Sequence, residues 1–173
     1  MALPAGEPAP EVAPFWASPL ARKWIGAAIG GCGGFIVIYL LAQLTASLHT
    51  VLLIAPFGAS CVLVFALPQS PLAQPRNVIG GHLVSTTVGL ATFSLLGGQP
   101  LSFGIAVGVA IAAMELTGTL HPPAGADPIV VLLAKASWTF LLSPVLTGAI
   151  TIVALGFIYH RAITRRRYPT KFF

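Results

Sequence analysis

Six apolar runs divide the chain, and short polar or proline-rich breaks separate them. The first is Trp24–Leu44. The second, Val51–Leu67, is barely long enough to span a bilayer and is interrupted at Pro56 and Gly58. A proline costs no hydrogen bond in the first turn of a helix but does cost one mid-helix, so this run reads as a short lead-in and a helix starting near Pro56. Pro68–Pro75 is a polar turn with three prolines, and Arg76 and Asn77 open the third run, Val78–Leu96. The tight turn Gly97–Pro100 leads to the fourth run, Leu101–Leu116. Then comes a polar, kinked dodecamer, Thr119–Val130, that overlaps the start of the fifth run, Pro128–Leu142. Pro144 marks a break before the last run, Val145–Tyr159. About 20 apolar residues cross the ~30 Å of hydrocarbon in a bilayer, so the pattern predicts membrane helices, some of them short or broken.

The chain resembles itself when shifted by 67 residues. Pro56, Gly58, Ala59, Val64, Val78, Gly81 and Gly89 then fall on Pro123, Gly125, Ala126, Val131, Val145, Gly148 and Gly156. Several matches are the glycines and prolines that set backbone course. Each unit reads as span, broken helix, span, and three crossings invert the second unit relative to the first. The expected fold is therefore an all-α membrane protein of six short or broken transmembrane helices in two inverted three-helix repeats. The rival is four spans plus two re-entrant segments. Lys and Arg collect on the cytoplasmic side of membrane proteins. Six spans put Arg22, Lys23, Arg76 and the Arg165–Arg167 tail on one side; four spans leave Arg76 on the other.

Composition fits a lipid environment. Charged residues are 8% of the 173 and hydrophobic ones 56%, where a soluble domain carries about 25% charge. The net charge of +5 sits at the membrane-flanking ends, which excludes a nucleic-acid patch and suits anionic lipid head groups. Residues 1–19 are proline-rich with no apolar core, and read as a disordered or surface segment rather than a signal peptide. Residues 20–161 form the membrane domain and 162–173 a basic cytoplasmic tail. The expected location is a plasma (bacterial inner) membrane with both termini inside. Cys32 and Cys61 fall in apolar runs and read as packing residues. Gly26, Gly30 and Gly34 recur on one helical face, either as a seam between copies of the chain or as a tight internal crossing.

Inverted repeats with broken helices are the layout of many transporters, whose half-helix N-termini meet near the midplane. Such ends carry free N–H donors and partial positive charge, and can hold an anion without a fixed cation. Phe57, Gly58, Ala59 and Ser60 after Pro56 fit that design, as do Ala124, Gly125, Ala126 and Asp127 after Pro123; the alternative is kinks in tightly packed helices. His121 could offer a proton to an anion or serve as a cap. Asp127 suits an anion site poorly and reads as a helix cap or a partner for a cation. Lys135, in the middle of the fifth run, either pairs with Asp127 or Glu115 or draws the substrate in. Asn77, beside Arg76, belongs to a vestibule or to a topology anchor. His82 and Thr86, one turn apart, read as hydrogen-bonded packing. No metal-ligand spacing or nucleophile motif is present, so no cofactor and no enzymatic activity is expected. An intramembrane metal enzyme and a non-transporting sensor or assembly module are the competing classes.

Pro56–Ser60, Pro68–His82 and Leu120–Ala126, in that order, resemble the HPP family of integral membrane proteins, named for its His-Pro-Pro tripeptide. Arg167–Pro169, followed by aromatic residues, is similar to that family's tail. The resemblance covers residues 20–173. It implies transport of nitrite or a similar small inorganic anion, as associated with members in plastids and cyanobacteria. The family is described with four membrane helices, and its pattern has Asn where Asp127 stands. A negative charge there argues against anion selectivity unless Lys135 or a proton offsets it.

Overall fold

A computed structural model describes residues 18–171; most of the expected N-terminal segment, residues 1–17, lies outside it, as do residues 172–173. All regular structure among the described residues is helical. The helices are α1 (Pro19–Leu48), α2 (Pro56–Cys61), α3 (Pro75–Leu96), α4 (Pro100–Leu116), α5 (Asp127–Ala134) and α6 (Thr147–Tyr159). A widened turn, Val62–Ala66, extends α2, and a tight turn, Pro122–Ala126, leads into α5. Further helical turns extend α6 to Trp138–Thr164. Proline sits in the first turn of α1 through α5, where its missing N–H is no loss. Ser18 caps α1 by accepting from the Ala21 N–H at 3.1 Å.

The lengths follow a pattern. At 1.5 Å per residue, α1 is about 45 Å long, α3 about 33 Å and α4 about 26 Å. Pro56–Ala66 is only about 17 Å and Pro122–Ala134 about 20 Å. Three segments are long and apolar enough to cross a membrane: α1, α3 and Trp138–Thr164. The remaining three are shorter apolar helices. The first half of the chain thus reads long, short, long, and the second intermediate, short, long.

Contacts at the helix ends define two faces. On one, an Arg76 Nη donates to Thr117 O at 2.7 Å, Tyr168 OH donates to Ala73 O at 3.0 Å, and Gln69 Nε2 donates to Arg167 O at 2.9 Å. This face gathers the start of α3, the end of α4 and the tail. On the other, the Leu52 N–H donates to Thr45 Oγ1 at 3.0 Å and Ser143 Oγ donates to Val51 O at 3.3 Å. That gathers the end of α1, the lead-in to α2 and the start of the last helix. Gly80 abuts Thr119 and Gly89 abuts Pro128, so the segment through α5 runs alongside α3 in the same direction. Successive elements therefore alternate in direction. Eight of the nine Lys and Arg residues lie at the first face. The ninth, Lys135, corrects the sequence reading: α5 ends at Ala134, and Lys135 stands exposed beyond it at φ 48°, not inside a helix.

The sequence repeat reappears as matched contacts. A methyl added to Gly156 would lie 2.5 Å from Val64 Cγ1, and one added to Gly89 would lie 3.4 Å from Val131 Cβ. The two glycines are 67 residues apart, and so are the two valines. Each contact is the other with the halves exchanged. One apolar cluster gathers Phe57, Val64, Val78, Val145 and Ile152; a second gathers Leu90, Ala106, Val131 and Leu132. In α1, Gly30, Gly33 and Gly34 close onto the α2 segment, with Gly33 against the Phe65 ring; this is the internal crossing, while Gly26 and Gly31 face open space. Cys32 and Cys61 are free. Large apolar side chains point outward, Leu116 at 89% exposure, while His82, His121 and Asp127 are fully buried. That distribution suits a hydrocarbon surround and a polar centre.

Candidate functional site

At the centre, four side chains form one hydrogen-bonded chain. Asp127 Oδ2 is 2.7 Å from His82 Nδ1. His82 Nε2 is 2.8 Å from Ser60 Oγ. Ser60 Oγ is 2.9 Å from His121 Nε2. His121 Nδ1 ends the chain on Leu72 O at 2.8 Å. All four side chains are 0% exposed. In so apolar a protein this is a costly cluster, and buried polar groups persist only when bonded to one another. Thr86 Oγ1 donates to Asp127 Oδ2 at 3.2 Å, whereas Asp127 Oδ1 is buried without a hydrogen-bond partner.

Helix geometry explains how the groups meet. His82 and Thr86 are four residues apart on α3, so they share a face. Asp127 occupies the first turn of α5, which runs beside that face. Ser60 lies inside α2 and also reaches Pro56 O at 3.3 Å, a helical back-bond. Close approach needs glycine: a methyl on Gly81 would lie 2.6 Å from His121 Cβ and 2.7 Å from Thr119 O. Asn77 Nδ2 donates to Leu120 O at 2.8 Å, and Ser85 Oγ donates to Ala124 O at 2.6 Å, holding the turn through Pro123. The Phe57 ring stands edge-on to His82, centroids 5.2 Å apart.

Of the residues expected from sequence, Ser60, His121 and Asp127 come together, with Phe57 beside them. Gly58 and Ala59 lie on the exposed side of α2, and Gly58 lines an apolar groove against α1. The N–H donors expected to hold an anion are engaged by the chain itself at several positions: Phe57 with Ile54 O, Gly58 with Ala55 O, and Ala124 with His121 O. Gly125 and Ala126 are half-buried, and Gly125 has open space beside it. Lys135 and Glu115 are exposed, and the side chain that meets Asp127 is His82. His82 is the central residue that the sequence reading assigned to packing. Its signal was its position one turn before Thr86, which puts the two polar side chains on one face of α3. No group of three or more His, Cys, Asp or Glu able to hold a metal occurs among the described residues.

No solved structure matches the chain. Two Dictyostelium discoideum proteins, named only as transmembrane proteins, are similar to it. One is 35% identical over 156 residues, which is 85% of this chain and 49% of the relative. The other is 34% identical over 125 residues, 68% of this chain and 44% of the relative. The chain thus spans about half the length of the curated relatives it matches. The family described as "HPP, transmembrane region" matches residues 17–169, including the broken turn, the proline-rich loop and the His-Pro-Pro segment that build the buried relay. The chain belongs to the HPP transmembrane-region family of integral membrane proteins.

Proposed function

We propose that the chain carries a small monovalent anion, nitrite foremost, across the membrane between two inverted three-helix repeats. The observation that carries this reading is a pair of matched mouths. On the basic face a cavity of about 390 Å³ is lined by Gln69, Arg76, Asn77 and Gly118, with Lys171. On the opposite face a cavity of about 600 Å³ is lined by Val51, Ala136, Ser143 and Pro144, with Lys135. Those first four positions are the repeat equivalents of the other four. Each mouth carries a cation able to raise the local anion concentration. Between them lies the sealed relay. Ser60 and Asp127 are themselves repeat equivalents, and His82 stands between them, which suits a site at the axis relating two rocking halves. By the positive-inside rule the basic face is cytoplasmic.

A second reading has an observation of its own. Ser60 Oγ, His82 and Asp127 are hydrogen-bonded to one another as in a hydrolase triad. Against it, Ser60 is fully buried, lies inside a helix and is bonded to two imidazoles, out of reach of a substrate from solvent.

The test is reconstitution. Purified chain in liposomes is given gradients of nitrite, nitrate, formate and chloride. Saturable flux of at least one anion, lost in a folded His82→Gln variant, is expected. No flux of any of them under any gradient sinks the proposal.

A further inference from the structure

We infer that the relay is a proton-binding site, holding one proton beyond those carried by ionised Asp127 and two neutral imidazoles, and that this proton travels with the anion. The coupling rests on the transport reading above; the binding site does not.

Counting hydrogens gives the argument. The chain from Asp127 to Leu72 O has four contacts, and each needs one hydrogen. Leu72 O only accepts, so His121 carries its hydrogen on Nδ1 and presents a lone pair at Nε2. Ionised Asp127 also only accepts, so a neutral His82 carries its hydrogen on Nδ1 and presents a lone pair at Nε2 as well. Ser60 then has one hydroxyl hydrogen for two imidazole lone pairs, at 2.8 and 2.9 Å, with the Pro56 carbonyl a third and longer claimant at 3.3 Å. One contact would press lone pair against lone pair in a site sealed from water, where an unmade hydrogen bond is costly.

One added proton satisfies all four contacts of the relay, and Ser60 gives up its longer back-bond to Pro56 O. With the carboxyl hydrogen on Asp127 donating to His82 Nδ1, His82 Nε2–H donates to Ser60, Ser60 donates to His121 Nε2, and His121 Nδ1–H donates to Leu72 O. The form with ionised Asp127 and doubly protonated His82 has the same four hydrogens. Either way the cluster is neutral, as a low-dielectric interior requires, and a neutral carboxyl no longer repels an anion. Nothing else nearby supplies the missing charge. From α2 the neighbours are Phe57 and Ser60, from α3 Thr86, and from the turn before α5 His121. On α6 the position one repeat from His82 is Ala149, and His160 is turned to Val64 O. Cys61 faces α1 at Gly34. Among the described residues, no carboxylate other than Asp127 lies within 4 Å of a basic nitrogen, and the nitrogen it meets is His82 Nδ1.

Asp127→Asn is a sharp probe. With its amide nitrogen in the Oδ2 position it donates to His82 Nδ1 permanently, mimicking the proton-loaded state. The variant is expected to fold, with the Thr86 hydroxyl turned to accept the second amide hydrogen where it now donates to Oδ2 at 3.2 Å, and it has no proton to release. Two measurements on the full chain test the inference. In lipid nanodiscs at neutral pH, isotope-edited infrared spectra of aspartate, with histidine nitrogen resonances, read the proton directly. A carboxylic-acid stretch or a doubly protonated His82 is expected, and the Asp127→Asn variant lacks both. A carboxylate beside two neutral imidazoles overturns the inference. In liposomes, nitrite uptake is expected to bring in one proton per anion and to be indifferent to a valinomycin-clamped potential. Electrogenic nitrite flux without proton uptake overturns the coupling. If the infrared or histidine signal is present while no anion moves, the transport reading fails and the proton site stands.

Discussion

Gly148 offers a measurable test of how tightly the relay is held. A methyl there would lie 2.1 Å from Phe57 Cε2 and 2.5 Å from its Cζ. Ordinary carbon contacts begin near 3.4 Å, so the ring must retreat by over 1 Å. Phe57 is 0% exposed and stands edge-on to His82, so retreat pushes on the relay. Helix propensity alone favours alanine over glycine by about 1 kcal/mol. Overpacking costs about 1–3 kcal/mol, and an overlap this large belongs at the upper end. Gly148→Ala is therefore expected to destabilise by about 1–2 kcal/mol. In a Phe57→Leu background the ring edge is gone and the sign reverses, giving a coupling of about 2–3 kcal/mol between the two sites. Reversible unfolding of the four variants in mixed micelles measures this. Equal effects of Gly148→Ala in both backgrounds would refute the packing argument.

Other outcomes follow from particular contacts. Gly58→Ala has open space beside it and faces the α1 groove, so stability is expected to hold or rise by up to about 1 kcal/mol and anion flux to match wild type; lost flux would return the anion to the start of α2. Tyr168→Phe leaves the buried Ala73 carbonyl without its donor, at a cost of about 1–3 kcal/mol to docking of the tail. Faster tryptic cleavage at Arg165–Arg167 reads it. Burial pushes the Tyr168 phenol up, so the tail's docking is intact below the ordinary tyrosine value of about 10 and is lost as pH climbs through the raised value. A fluorophosphonate probe is expected to leave Ser60 unlabelled, since the hydroxyl is sealed among imidazoles; stoichiometric labelling would favour the hydrolase reading.

Much of this arrangement was legible because backbone-determining residues carry it. Prolines at helix starts and glycines at crossings are read from sequence alone, and the 67-residue shift of Gly89, Gly156, Val64 and Val131 became a pair of exchanged contacts. The basic residues sorted to one face as their positions implied. Lys135 escaped because apolar runs on both sides hid the left-handed break after Ala134. Asp127 looked misplaced for want of its partner: His82 is 45 residues away, and only the close passage of α5 along α3 brings them to 2.7 Å. The free N–H donors expected after Pro56 were absorbed by the local turns at Ile54 and Ala55, which no spacing rule reveals.

The most direct test of the central claim, that the buried relay serves anion movement between the two mouths, is the initial rate of nitrite flux into liposomes. Wild type and His82→Gln are compared at matched amounts of folded protein. The account predicts saturable flux in wild type and a loss to the protein-free rate in the variant. Equal flux in both, or none in wild type for any anion offered, would contradict it.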